Sequence, residues 1–401
     1  MMFWRASRYA FPKVCLFSAS SLSSSVFSDS CALTLHFFHS NSSNPHSIEE
    51  AVSSFHTLLH GHPPPSIVQI TKILGSLARM KHYPTAISLY ELAESKGFTP
   101  SFVTLSVLIN CYCHVGLMNF AFSTLGKILK MGCQPNTIIL NTLMNGLCID
   151  NDVGKALDFH DNVIAKGFHL DEVSYGTLIN GLCKSGKTLT AIKLLKKMAR
   201  GLVEPGLVMY STVIDGFCKE GLITEAIDLF HEMCRHGISP NVVTYNSLIH
   251  GFCLMDKWAE AAKIFNQMKI EGINPDVHTF DILVNAFCKQ GRVTRAEAVI
   301  GMMMKHGVKP NVVTFNTLMD GYCLINHVGE SRELFNKMVK SSLAPDIFSY
   351  SILINGLCKI KMVDDALDLF KEMKSKNLLP DMVTYNSLVD GLYKSSKMSY
   401  V

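Results

Sequence analysis

The chain is sparing with charge. Asp, Glu, Lys and Arg make up only 17% of its 401 residues, against 48% hydrophobic, and the formal net charge is +4. That leaves ample apolar surface for a core and only a mild basic bias. No apolar run can span a bilayer, because charges or Gly interrupt each one. Strand-like alternation is sustained nowhere, which argues against a sheet. Signatures of hydrolytic and cofactor chemistry are also missing. There is no H-E-x-x-H, no deaminase-type H-x-E with C-x-x-C, no G-x-S-x-G and no dinucleotide fingerprint. Sixteen histidines are scattered without metal spacing. Cys111 and Cys113 form a CxC with no second pair at zinc distance, so neither metal nor cofactor is expected.

Acidic residues are absent before Asp29, whereas Arg5, Arg8 and Lys13 precede it. Residues 1–44 are basic, Ser-rich and acid-poor, as an organellar transit segment is. Mitochondrion is the expected destination, plastid the second choice.

What the rest of the chain has is a period. Residues 242–276, VVTYNSLIHGFCLMDKWAEAAKIFNQMKIEGINPD, recur every 35 positions without insertion. The frame divides the chain into a half unit at 45–66, nine units at 67–381 and a partial tenth at 382–401. A fixed period of this size is the mark of a solenoid. Within the unit, Tyr245, Leu248, Ile249, Phe252 and Cys253 have helical spacing, as do Ala261, Phe265 and Met268. Met255 and Asp256 fall in the turn between, Gly272 suits a left-handed C-cap, and Asp276 can cap the next helix. The expected fold is all-α, an array of helix-turn-helix units. The last segment supplies a first helix only, leaving Leu388, Val389 and Leu392 without a partner, as in a C-terminally shortened product.

Three slots repeat with little variation. One is Ala from Ala51 to Ala366, interrupted only by Ser331, which implies close helix contact. One is Pro, from Pro65 to Pro380, broken only by Leu170. One is Cys: Cys113, Cys148, Cys183, Cys218, Cys253, Cys288, Cys323 and Cys358. Copies one unit apart stand too far from each other for the ~4.4–6.8 Å Cα separation of a disulfide, so packing is their expected role. The stretch GLCKSGKT, from Gly181 to Thr188, satisfies the P-loop pattern. It falls on a helix end and turn, where other units read GFCKEGLI and GLCKIKMV, and is a coincidence of the frame.

Two rows break local rules. The fifth residues of successive units are Thr71, Ser106, Asn141, Gly176, Ser211, Asn246, Asp281, Asn316, Ser351 and Asn386. All are poor helix formers, by ~0.5–1 kcal/mol against Ala. Repeated sacrifice suggests a row of readers on a surface. The last residues, from Ser101 and Asn136 through Asp381, are all good N-caps.

Period and slots together closely resemble the pentatricopeptide repeat in its plant P-type form, across residues 48–401; parts resemble its fertility-restorer-like subgroup. The resemblance implies a right-handed superhelix that binds single-stranded RNA, about one base per unit, with the N-terminal end toward the RNA 5′ end. By slot, Asn141/Asp171, Asn246/Asp276 and Asn316/Asp346 would read U. Ser106/Asn136 and Ser211/Asn241 would read A, and Ser351/Asp381 would read G. Thr71/Ser101, Gly176/Gly206 and Asp281/Asn311 depart from the common pairs; Asp281 and Asn311 still stand in the row of expected readers. The implied target core is 5′-A-U-n-A-U-n-U-G-3′, with a pyrimidine at Asn386. Second-slot residues Val103, Ile138, Val208, Val243, His278, Val313 and Phe348 would wedge between bases, His278 and Phe348 by stacking. Lys184, Lys219, Lys289 and Lys359 share a slot suited to phosphates. The resemblance implies a non-enzymatic monomer in an organelle, supporting transcript processing, stability or translation beside other RNA-processing proteins. A helical scaffold for a protein or peptide partner is the alternative.

Overall fold

The computed structural model describes residues 47–61, 65–199, 203–341 and 343–395. The transit segment expected at 1–44 lies outside them. The described residues form twenty α-helices and no strand, in two compact units divided between Glu204 and Pro205.

The first unit opens with α1 (Ile48–His60). Hairpins follow: α2 (Ile67–Arg79) with α3 (Tyr83–Ser95), α4 (Phe102–Val115) with α5 (Met118–Lys130), and α6 (Thr137–Ile149) with α7 (Val153–Ala165). The last is α8 (Glu172–Lys184) with α9 (Thr188–Ala199). The second unit holds α10 (Leu207–Lys219) with α11 (Ile223–Arg235), and α12 (Val242–Leu254) with α13 (Trp258–Ile270). Then come α14 (Val277–Lys289) with α15 (Val293–Lys305), α16 (Val312–Leu324) with α17 (Val328–Lys340), α18 (Ile347–Lys359) with α19 (Val363–Ser375), and α20 (Met382–Lys394). Within each unit the first helices of successive hairpins stack on one another, and each packs on its own second helix. Each unit is therefore a short α-solenoid.

Helix ends follow from single residues. Asp276 accepts from the Thr279 backbone N–H at 2.8 Å and so caps α14. At the other end of a hairpin, Gly272 takes φ +73°, and Ile273 N–H reaches back to Met268 O at 3.0 Å, which closes α13. The turn inside each hairpin uses the same left-handed step, at Lys81, Gly116, Asn151, Gly186, Gly221, Asp256, Gly291, Asn326 and Lys361. Gly186 of the P-loop match is thus one of nine equivalent turn residues. No strand precedes it, and Thr188 is buried at the start of α9.

The small slot is buried throughout: Ala51, Ala86, Ala121, Ala156, Ala191, Ala226, Ala296 and Ala366 are at 0% exposure, and Ser331 with them. The cysteines are part of the stacking. A Cβ built on Gly146 would meet the Cys113 Sγ at 2.5 Å, and one on Gly251 would meet the Cys218 Cβ at 2.7 Å. The same close approach joins Gly181 to Cys148, Gly321 to Cys288, Gly356 to Cys323 and Gly391 to Cys358. Each thiol is a knob in the hole left by the next unit's missing side chain. Burial pushes the thiols of Cys113, Cys218, Cys253 and Cys288 up to about 12, so they are inert packing groups. At α20, Leu388 and Leu392 are buried, whereas Val389 is exposed.

Candidate nucleic-acid interface

Four of the fifth residues are buried, Thr71, Ser106, Asn141, Gly176 and Asp281 are half-buried, and Asn386 is exposed. Asn246 is 4% exposed, Ser211 and Ser351 6% and Asn316 8%. The expectation that Asn246 is a surface site is corrected here. What covers it is a hydroxyl from the next hairpin. The third residue of that hairpin's first helix is Thr279, fully buried, and its hydroxyl lies 2.7 Å from Asn246 Oδ1 and 2.8 Å from Asp276 Oδ1. Asn246 Nδ2 donates to Asp276 Oδ1 at 3.3 Å. Fifth residue, last residue and the following third residue form one closed triad.

The triad recurs. Asn316 Nδ2 donates to Asp346 at 3.0 Å, and Ser349 donates to Asn316 Oδ1 at 2.7 Å. Asn141 Nδ2 donates to Asp171 at 3.2 Å, with Ser174 as the hydroxyl. In the Ser units the link is hydroxyl to hydroxyl: Ser211 to Thr244 at 2.7 Å and Ser351 to Thr384 at 2.6 Å. Ser106 differs. The next third residue is Ile139, and Ser106 donates instead to the Phe102 carbonyl at 2.9 Å. Its expected partner Asn136 is exposed and accepts from the Ile139 backbone N–H at 3.0 Å.

Asn311 is not bonded directly to its partner Asp281, and it makes the cap contacts that Asn241 makes. Its Oδ1 accepts from the Thr314 backbone N–H at 3.0 Å, so it is engaged as the cap of α16, and the residue is exposed. The reason lies in the partner. Asp281 is a carboxylate with no N–H to give Asn311, whereas Asn246 gives one to Asp276. The two acceptors meet only through the Thr314 hydroxyl, 2.7 Å from Asp281 Oδ1 and 3.2 Å from Asn311 Oδ1. That hydroxyl has one proton, and the shorter contact goes to Asp281. Asn386, on the last described helix, is exposed. Sequence reading named two members of each triad and missed the third. The signal was present in the hydroxyl of V-V-T-Y and its copies, which a cap explanation absorbed.

Charge in the row is uneven. Burial works to raise Asp276, but the Thr279 backbone and hydroxyl donors and the Asn246 amide outweigh it, and the carboxyl stays below its usual range. Asp171 and Asp346 behave alike. These are ionised acceptors at neutral pH. At Asp281 burial wins over the Thr314 hydroxyl and the carboxyl is raised.

The second slots expose apolar groups at helix starts: Ile138 58%, Val208 73%, Val243 55%, Val313 57% and Phe348 65%. His278 is exposed and Val103 half-buried. All of these but Val103 are left open to solvent. Lys184, Lys219, Lys289 and Lys359 are all exposed, but Lys219 pairs with Asp215 at 2.6 Å. Among the described residues no group of three or more His, Cys, Asp or Glu could hold a metal, and no helix is long and apolar enough to cross a membrane.

Comparison with known proteins places these features in a class. The model of the PPR repeat family matches at 135–184, 205–254, 240–289, 280–324, 310–359 and 352–394. The model of the pentatricopeptide repeat domain matches at 88–151. The chain belongs to the pentatricopeptide repeat family. A pentatricopeptide repeat-containing protein of Arabidopsis thaliana, named as mitochondrial, is 35% identical over 84 residues, 21% of this chain and 13% of that one. A second, also named mitochondrial, is 35% identical over 83 residues, 20% of this chain and 16% of that one. These matches span less than a fifth of either relative's length. Among solved structures, maize PPR10 in complex with an 18-nt psaJ RNA element superposes with a TM-score of 0.57 at 21% identity, covering 88% of this chain and 56% of that one.

Proposed function

We propose that this chain binds single-stranded RNA sequence-specifically in an organelle, one base per repeat, and acts by occupying a transcript rather than by catalysis. The observation that carries the reading is the closed triad. A backbone N–H can only donate and a carboxylate can only accept, so on this reading the triad would set which edge each position offers a base. At Asn246/Asp276 the amide oxygen is held by Thr279 and one amide N–H by Asp276 Oδ1. One amide N–H and Asp276 Oδ2 are left for a base. Uracil answers with O4 as acceptor and N3–H as donor; cytosine and adenine would set a lone pair against the carboxylate. At Ser211/Asn241 the Thr244 N–H, at 3.1 Å, fixes Asn241 Oδ1 and leaves Nδ2 as donor. Adenine offers N1 to that donor and its amine to the Ser211 oxygen. At Ser351/Asp381 the carboxylate suits the N1–H and amine of guanine.

The solved likeness is a structure with RNA bound, and two relatives carry mitochondrial names. Both support the reading, with mitochondrion as the compartment, and residues 1–44 as its address. The exposed second-slot row would wedge between bases, and the lysine row would meet phosphates.

The test is a transplanted pair. Asn246→Ser with Asp276→Asn copies the A-reading pair into the U-reading unit. The new residues remain good caps, and Thr279 can still bond them. The preferred base at that step should move from U to A, with about 1–3 kcal/mol of discrimination from the mismatched edge. Titration against two RNAs differing only at that base measures it. Equal binding of both RNAs by both proteins would sink base reading by these positions.

A further inference from the structure

The repeat at 277–311 has the hydrogen-bond frame of the repeat at 207–241 with one residue changed. In the earlier repeat, Ser211 Oγ lies 2.7 Å from the Thr244 hydroxyl. Asn241 Oδ1 accepts from the Thr244 backbone N–H at 3.1 Å, with the same hydroxyl 3.2 Å away. In the later repeat, the Thr314 hydroxyl lies 2.7 Å from Asp281 Oδ1. Asn311 Oδ1 accepts from the Thr314 backbone N–H at 3.0 Å, with that hydroxyl 3.2 Å away. Asp281 stands where Ser211 does.

Two polar groups are left over. Asn311 is exposed, and with Oδ1 engaged its amide has N–H groups to give. Asp281 is half-buried; its Oδ1 takes the Thr314 hydroxyl, and among the described residues nothing bonds its Oδ2. The enclosed side-chain atoms without a partner are His160 Nε2, the Tyr245 hydroxyl and Gln290 Oε1, so Asp281 Oδ2 is open to solvent. The fifth position therefore presents an acceptor and the last a donor. That is the reverse of Asn246 and Asp276, where the amide N–H belongs to the fifth position and the spare carboxylate oxygen to the last. Burial raises the Asp281 carboxyl, and an N–H given to Oδ2 favours its ionised form.

Adenine and cytosine carry a ring nitrogen acceptor beside an exocyclic amine, and both match this order of groups. Uracil and guanine carry a ring N–H beside a carbonyl, and meet it with donor against donor and oxygen against carboxylate. Length separates the two bases that match. An Asp oxygen stands one bond further from the helix than the Ser211 oxygen. The Watson–Crick edge of a purine lies further from its sugar than that of a pyrimidine. Along a strand held by equivalent repeats, the longer side chain meets the shorter base. We propose that the repeat at 277–311 reads cytosine, N3 accepting from Asn311 Nδ2 and the N4 amine donating to Asp281 Oδ2. This assignment rests on the base reading proposed above, and turns the target core into 5′-A-U-n-A-U-C-U-G-3′.

The full chain would be titrated with four RNAs that carry this core and differ only at the sixth base. C should bind tightest, with A weaker. U and G should each bind about tenfold more weakly than C or worse, because they leave polar groups unpaired. Asp281→Ser copies Ser211 onto an equivalent threonine hydroxyl and should move the preference from C to A. Asp281→Asn with Asn311→Asp copies Asn246 and Asp276 and should move it to U. Tightest binding of A, U or G by the unaltered chain overturns the assignment, as do equal binding of all four and a C preference unchanged in both variants. A second RNA series, varied only at the fifth base, is titrated alongside. U preferred there with no preference at the sixth base ends the cytosine assignment alone. No preference at either base ends base reading by these positions, and no RNA bound ends the RNA reading with it.

Discussion

Thr279 shows how much one hydroxyl carries. It bonds Asp276, Asn246 and the backbone at once, and it is fully buried. Thr279→Val keeps the shape and removes the hydrogen bonds. Asn246 Oδ1 is then buried without a donor, at a cost of about 1–3 kcal/mol. Denaturant unfolding should show that loss, RNA discrimination at the U step should fall, and Thr279→Ser should restore both, because Ser349 fills the same slot. His160 is a second informative residue. It is fully buried beside Tyr175, its Nε2 has no partner, and burial pushes its pKa down more than Asp161 raises it. The unfolded chain therefore takes up this proton near pH ~6.5 while the folded chain does not. Its contribution is intact above that pH and is lost as pH falls below it, toward the folded value. His160→Phe should flatten the decline in stability between about pH 7 and 5, seen as a smaller shift of the unfolding midpoint; an unchanged decline would remove His160 as its source.

At the scale of the helix, the sequence was legible where one residue type answers to one local rule. Gly272, Asp276 and the alanine slot stand where their conformations and sizes require. Partners one unit away were not legible. The cysteine row reads as packing, but its counterpart, the glycine three residues before the end of the next first helix, is not paired with it by the sequence alone. The fifth position reads as surface because a polar residue on a helix defaults to solvent; at Ser211, Asn246, Asn316 and Ser351 the stacked neighbour buries it. Asn311 lacks a direct bond to its partner for the same kind of reason: that link turns on what Asp281, 30 positions earlier, has to donate. The knob-and-hole account makes a signed prediction. Gly251→Ala would ordinarily help a helix by ~1 kcal/mol. Here the new methyl meets Cys218 at 2.7 Å and Ile223 at 2.9 Å, so a net loss of about 1–3 kcal/mol is expected. Cys218→Ala in the same chain should recover part of it, and a double-mutant cycle by chemical denaturation measures the coupling. Simple additivity would refute the pairing.

For the molecule as a whole, the question is what separates affinity from specificity. A net charge of +4 spread over 401 residues gives little general attraction for RNA. The lysine slot lies eight residues beyond the fifth position on the same helix, and any phosphates it neutralises would show themselves as salt dependence, with a slope of about −0.7 per contact on a single strand. The four lysines are not equivalent. Lys219 already faces Asp215, so a phosphate there must compete with an existing ion pair, though an exposed one of small value. Replacing Lys184, Lys289 and Lys359 by Gln should flatten the log–log salt plot by about two units. Adding Lys219→Gln should change it less than any one of the others. The readers are untouched by these changes, so the ratio of affinities for U and A at the Asn246 step should hold constant while both affinities fall. A ratio that collapsed along with the slope would mean that the lysines position the bases, and the row would then belong to the reading machinery rather than to the electrostatic track beside it.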